Sequence, residues 1–126
     1  MLAIGVKRYI MKFMSRKVLA LQREIGRIKR ELNELGDLRP GSLSEQYNVC
    51  GKPTCRCKAS PPQKHGPYYQ VSYTRKRRSG TMFVRREQVA TVKRQIKNYT
   101  KMRRLVDRWI EAGAELSSLL LTEERG

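Results

Sequence analysis

The chain of 126 residues holds three cysteines and one histidine, and all four fall between positions 50 and 65. Cys50, Cys55, Cys57 and His65 read as C-x4-C-x-C-x7-H. Three thiolates and one imidazole can supply a closed tetrahedral zinc site, with no open position for a substrate. Gly51 and Pro53 lie in the first gap, where the chain must curl back on the ion. The one-residue second gap is tighter than the spacing of about two to four common in zinc sites, so the pattern departs from the usual one there. Metal-binding energy becomes folding energy when the segment cannot fold by itself, and this segment has little apolar content. The expected metal ligands are therefore Cys50, Cys55, Cys57 and His65, with Zn2+ as cofactor and iron as the alternative. His65 is the ligand most easily replaced by water or another residue. The plainer reading, idle thiols and an unrelated surface histidine, leaves the clustering unexplained.

Other chemistry is poorly served. A C-x-C pair among basic residues could lower thiol pKa values for redox work, but nothing else resembles an oxidoreductase. Glu45 is the only acid between residues 39 and 86, so general acid–base catalysis lacks its groups. No GxxxxGK[ST] or GxGxxG phosphate loop is present. A non-enzymatic protein is expected.

The net charge is +17. Solubility alone needs a charge of only about 2–8 in magnitude, so the excess implies a polyanionic partner. The charge is also unevenly placed. Residues 39–86 carry eleven basic groups and one acid, whereas from Asp107 onward five acids face two arginines. No apolar run approaches the roughly 20 residues of a membrane span. The opening MLAIGVKRYIMKFM lacks the uninterrupted apolar stretch of a secretory signal. A cytoplasmic protein with reduced cysteines and no membrane partner is expected. An amphipathic membrane-surface helix at 1–17 is weaker, because its basic residues run on into a regular heptad.

Two helices must position these groups. Met11, Met14, Val18, Leu21, Ile25, Ile28, Leu32 and Leu35 step by threes and fours, the a/d seam of a coiled coil. The spacing predicts a helix from about 5 to 35, stopped by Gly36 and Pro40. Val89, Val92, Ile96 and Tyr99 begin a second seam, which drifts through Met102, Leu105, Val106, Trp109, Ile110, Gly113, Leu116 and Leu120. That predicts a helix over 86–120, with an apolar face broadening near Trp109 to bury more surface. At 1.5 Å per residue each helix would be roughly 45–53 Å long, and neither is stable alone.

Between them, Pro40, Gly41, Gly51, Pro53, Pro61, Pro62, Gly66 and Pro67 exclude helix. YYQVSYT (68–74) and TMFVR (81–85) predict a β-hairpin joined by the basic loop RKRRSG (75–80), with Gly80 free to take a positive φ. The expected fold is mainly α with a small β-hairpin. Two long helices form an antiparallel coiled-coil-like hairpin with a zinc-stabilised β-hairpin tip. The expected parts are a heptad helix at 1–37, a zinc-knuckle and hairpin module at 38–85, and a long helix at 86–126.

The stretch LRPGSLSEQYNVCGKPTCRCKASPPQKHGPYYQVSYT (38–74), with FVRREQV (83–89) and NYTKMRRLVDRWIE (98–111), resembles a family of small bacterial and archaeal proteins of unknown function. Its CGKPxCxC and HGPYY boxes carry the resemblance, which covers about residues 38–120. The resemblance implies metal binding and an association with mobile elements, without an assigned activity.

These features point to a nucleic-acid-binding protein, DNA or RNA, as an accessory factor of a mobile element or ribonucleoprotein. Arg75, Lys76, Arg77 and Arg78 are the first candidates for phosphate or groove contact. Lys52, Arg56, Lys58, Lys64, Arg85 and Arg86 extend the patch, and cations in both helices, from Lys7, Arg8, Lys12, Arg16 and Lys17 to Lys93 through Arg104, add backbone contacts. Tyr68, Tyr69 and Tyr73 are candidates for stacking on bases, although alternation turns about half of them into the protein. The alternative is a coiled-coil adaptor subunit of a larger nuclease, transposase or ribonucleoprotein. Its seams would make a homodimer or hold a protein partner.

Overall fold

A computed structural model describes residues 15–125. The predicted opening of the first helix, with Met11, Met14, Lys7, Arg8 and Lys12, lies outside the described residues. Helix α1 (Arg16–Glu34) begins at Ser15, whose backbone is extended (φ −64, ψ 156). The Ser15 hydroxyl accepts a hydrogen bond from the Val18 N–H at 3.2 Å. An unbroken helix across position 15 is therefore corrected. A serine that reads as a neutral outer position of the heptad is a cap, because its oxygen satisfies an amide that the first turn leaves without a partner.

Strand β1 (Ser42–Asn48) follows, then a 3-10 turn (Arg56–Lys58), strand β2 (His65–Arg75), strand β3 (Arg78–Val84), a second 3-10 turn (Arg86–Gln88) and helix α2 (Val89–Arg125). The chain divides into two compact units. One combines α1 with α2 from Met102 onward, and the other spans Gly36–Lys101.

In the helical unit the seam residues Val18, Leu21 and Ile28 of α1 are buried, as are Leu105 and Ala112 of α2. Ion pairs tie the helices at the surface. Lys17 Nζ lies 2.6 Å from Glu115 Oε1, and Arg108 Nη2 lies 3.1 Å from Glu24 Oε1. These pairs advance in opposite directions along α1 and α2. The expectation that α2 buries more around Trp109 is corrected, since Trp109 is 37% and Ile110 61% exposed. Two helices give each other one stripe apiece, and a face wider than that stripe is left in solvent. Lys29 covers part of the indole, with its Nζ 5.2 Å from the ring centroid. Among the described residues no helix is long and apolar enough to cross a membrane.

The second unit holds a three-stranded antiparallel sheet in the order β1-β2-β3, so the predicted two-stranded hairpin tip is corrected. Strand β1 escapes a reading by alternation because only Leu43 marks its inner face, opposite Val71 and Met82, while Glu45 takes the next inner place. Val71, Val84 and Val92 form the buried core, packed by Leu43, Tyr69, Tyr73, Met82, Val89 and Ile96. The first turns of α2 thus cover one sheet face. An isolated hairpin is marginal in water; the third strand and the helix supply what it lacks. The segment before β1 is also tied to α2. The Arg39 N–H donates to the Gln95 carbonyl at 3.1 Å, and Asn98 Nδ2 donates to the Asp37 carbonyl at 2.8 Å.

Candidate metal centre and basic turn

The connection between β1 and β2 is a series of tight turns. The Cys55 N–H reaches the Lys52 carbonyl, and the Lys58 N–H reaches the Cys55 carbonyl. The Ala59 and Gln63 N–H groups both reach the Arg56 carbonyl. These turns fold Cys55 and Cys57 back toward Cys50. His65 arrives as the first residue of β2.

Gly66 makes that arrival possible. Its φ is +141, and a Cβ there would lie 2.7 Å from the Gln46 carbonyl oxygen and 2.9 Å from Cδ1 of Tyr47. The β1–β2 register shifts between Gln46 and Asn48 at the same place. A side chain would push the strands apart just where the imidazole must meet the thiols, which gives a physical reason for the glycine of the HGPYY box.

Cys50, Cys55, Cys57 and His65 come together as the sequence predicts, with their ligand atoms all within 4.8 Å of one another. Cys50 Sγ is 3.6 Å from Cys57 Sγ, and Cys55 Sγ is 3.1 Å from His65 Nε2. A tetrahedral zinc ion at its usual bond lengths sets sulfurs about 3.8 Å apart and sulfur and nitrogen about 3.6 Å apart. The four donors therefore fit such an ion after shifts of about an ångström or less. Cys57 is buried, and its Sγ accepts the Cys50 N–H at 3.3 Å. That amide hydrogen bond suits a thiolate ligand and would orient it. The Cys50 thiol is held below its ordinary pKa, chiefly by a backbone hydrogen bond at Lys52 and then by Cys55. Burial pushes the Cys57 thiol up.

The Cys3His group lies away from the basic turn. It closes the β1–β2 connection, whereas the turn joins β2 to β3. Strand β2 has eleven residues, so at about 3.3 Å per residue roughly 33 Å separates its His65 end from its Arg75 end. Lys52, Arg56, Lys58 and Lys64 are exposed around the metal loop. Arg85 and Arg86 follow Val84, which pairs with Tyr69 near that same end. Arg75, Lys76, Arg77 and Arg78 lie at the other.

The turn itself is a two-residue loop with left-handed backbone at both positions, Lys76 (φ 53) and Arg77 (φ 64). Gly80 was the expected positive-φ residue, and the structure corrects this. Gly80 pairs with Tyr73 across the strands, and a Cβ on it would lie 2.8 Å from the tyrosine ring. Its bare backbone makes room for an aromatic ring. Two-residue hairpin turns of this kind favour Asn-Gly; this one carries Lys-Arg. Arg75 and Arg78 face each other as the last cross-strand pair, an arrangement that like charges disfavour. Arg75 lies over the Tyr73 ring at 5.7 Å.

Of the three candidate tyrosines, Tyr69 and Tyr73 pack against the core and Tyr68 faces solvent. Sequence reasoning missed Phe83, which is 75% exposed. The signal was the run Met82-Phe83-Val84: with Met82 and Val84 on the inner face, the residue between them must point out.

A family model described as a domain of unknown function, DUF6788, matches residues 18–94. The match takes in most of α1, the whole sheet and the Cys3His group, and ends within the first turns of α2. No curated protein and no solved structure matches the chain. The chain belongs to the DUF6788 family.

Proposed function

We propose that this member of the DUF6788 family is a non-enzymatic nucleic-acid-binding protein. In this reading a metal ion, zinc before iron, holds the β1–β2 connection through Cys50, Cys55, Cys57 and His65. The ion has a structural role: four protein donors leave no coordination position for a substrate. The basic turn is the first point of contact with phosphates, and the cations at the metal end are the second. Accessory service to a mobile element or ribonucleoprotein, in the reducing cytoplasm, belongs to the same reading. So does a coiled-coil-like pairing of the helices.

The observation that carries it is the turn at Arg75–Arg78. Each left-handed non-glycine residue costs about 1–2 kcal/mol. Residues with backbone strain of this kind cluster at functional sites. Here it places four exposed cations on one projecting loop without a single neighbouring acid in the strand ends. Such an arrangement is unfavourable alone and favourable against a polyanion.

Exposed Ile110 and Leu121, 61% and 55% accessible on the helical unit, favour a second reading. They suit an adaptor subunit whose helices bind a further copy or another protein.

The test is salt dependence of binding to fluorescently labelled DNA and RNA, measured by anisotropy on protein whose metal content has been set by elemental analysis. If six to ten phosphates are neutralised, affinity falls by about 10³–10⁵ between 50 and 200 mM salt. A slope near zero with both nucleic acids refutes the reading and leaves the adaptor.

A further inference from the structure

The sheet has two faces, and only one of them is used by the core. The inner rows are Leu43–Val71–Met82 and Glu45–Tyr69–Val84, packed in large part under Val89, Val92 and Ile96. The outer rows are Ser42–Ser72–Thr81 and Ser44–Gln70–Phe83, followed by Gln46 opposite Tyr68. Phe83 is 75% and Tyr68 44% exposed on that outer face. Tyr68 stands two residues before Gln70, the partner of Phe83, so the two rings are diagonal neighbours about 7–8 Å apart at the backbone.

The setting of the rings says what they meet. By register, no acid lies on the outer face: Glu45, the only carboxylate of β1, belongs to an inner row and accepts the Tyr47 hydroxyl at 3.1 Å. Hydroxyls and carboxamides fill the rest of the face. Cations stand at both ends of it, Arg75–Arg78 at one and Lys64, Arg85 and Arg86 at the other. A protein partner would be expected to find a larger apolar centre than two rings. A duplex keeps its bases stacked on each other and has none to offer a ring. Unpaired bases stack on aromatic side chains whatever their identity, while flanking cations follow the backbone. Ser44 is engaged within the sheet, its hydroxyl donating to the Gln70 carbonyl and accepting from Gln46 Nε2, so it is the carboxamides of Gln46 and Gln70 beside the rings that offer a donor and an acceptor to a 2′-hydroxyl, the group that separates RNA from DNA.

We propose that the open sheet face is a platform for single-stranded RNA, with Phe83 and Tyr68 stacking on successive bases and the two cationic ends holding phosphates. This rests on the nucleic-acid reading above and narrows it from backbone contact to base contact.

The test uses the full chain and labelled twelve-nucleotide probes of mixed sequence: single-stranded RNA, single-stranded DNA and duplex RNA. Phe83→Thr keeps strand propensity and, at an exposed site, keeps the fold. It weakens single-stranded RNA binding by about 5- to 150-fold with an unchanged salt slope, while duplex binding stays as in the parent. Phe83→Trp retains affinity for the single strand, which a loss through misfolding would not allow. If parent and Phe83→Thr bind single-stranded RNA equally and with a steep salt slope, the platform is wrong and the nucleic-acid reading stands. If the parent binds none of the three probes at low salt, both fall. Equal affinity for single-stranded DNA and RNA overturns the assignment to RNA.

Discussion

Replacing Lys76 and Arg77 by Asn and Gly separates stability from binding at one place. Both positions have left-handed backbone, with φ of 53 and 64. Asn-Gly is the sequence such a turn favours, and the glycine at 77 alone relieves about 1–2 kcal/mol of strain. In a domain of 60–100 residues each kcal/mol moves Tm by roughly 4–8 °C, and the thermal midpoint should therefore rise by about 4–16 °C. The variant also removes two cations. If both contact phosphates, the slope of log affinity against log salt becomes shallower by about 1.4–1.8. Between 50 and 200 mM salt the parent then loses roughly 7- to 12-fold more affinity than the variant. Calorimetry or circular dichroism reads the first quantity, and anisotropy titrations at four salt concentrations read the second. A variant that is more stable yet keeps the parental slope would show that these cations touch no nucleic acid. One that is less stable would refute the strain argument itself.

Chelation of the metal should loosen the β1–β2 connection first. In hydrogen exchange, amides of 42–50 and of 65, 66, 68 and 69 lose protection while the core pairing of Val71 with Met82 persists; simultaneous loss across all three strands would refute a local role for the ion. Metal affinity should rise with pH, because ligands bind as thiolates and release protons. Burial holds the Cys57 thiol above its ordinary pKa, so its neutral form stabilises the metal-free fold at low pH and that contribution is lost as pH climbs through the raised value. Cys50 has the opposite sign: its lowered pKa adds stability above the ordinary thiol value that disappears on acidification. Competition titrations with a chromophoric chelator from pH 6 to 9 check the rise, and a flat profile would exclude thiolate ligation. Gly66→Ala forces a Cβ to 2.7 Å from the Gln46 carbonyl. It should cost about 2–3 kcal/mol and weaken metal retention, measured by denaturant unfolding with parallel metal analysis.

Local spacing carries far in this chain. The stepping of Val18, Leu21 and Ile28 marks the buried stripe of α1, and Val89, Val92 and Ile96 mark the helical face that meets the sheet. The cluster of Cys50, Cys55, Cys57 and His65 was legible for the same reason, since the four residues are crowded into one turn-rich segment. Even here a local rule misled: the heptad steps run past position 15 without a break, yet Ser15, an outer position, caps the helix, its hydroxyl accepting a hydrogen bond from the Val18 N–H.

Composition and periodicity by themselves determined two helices, a cationic middle segment and the identity of a Cys3His donor set, because each depends on residue types close together along the chain. Pairing across the chain decided the rest. That Ser42–Asn48 joins the sheet, that the donors close its first connection and not its basic turn, and that Tyr69 points in while Tyr68 and Phe83 point out all follow from register. Register is a property of which strand lies beside which. A shift of one residue would exchange the two faces of a strand, so only the folded sheet could choose between them.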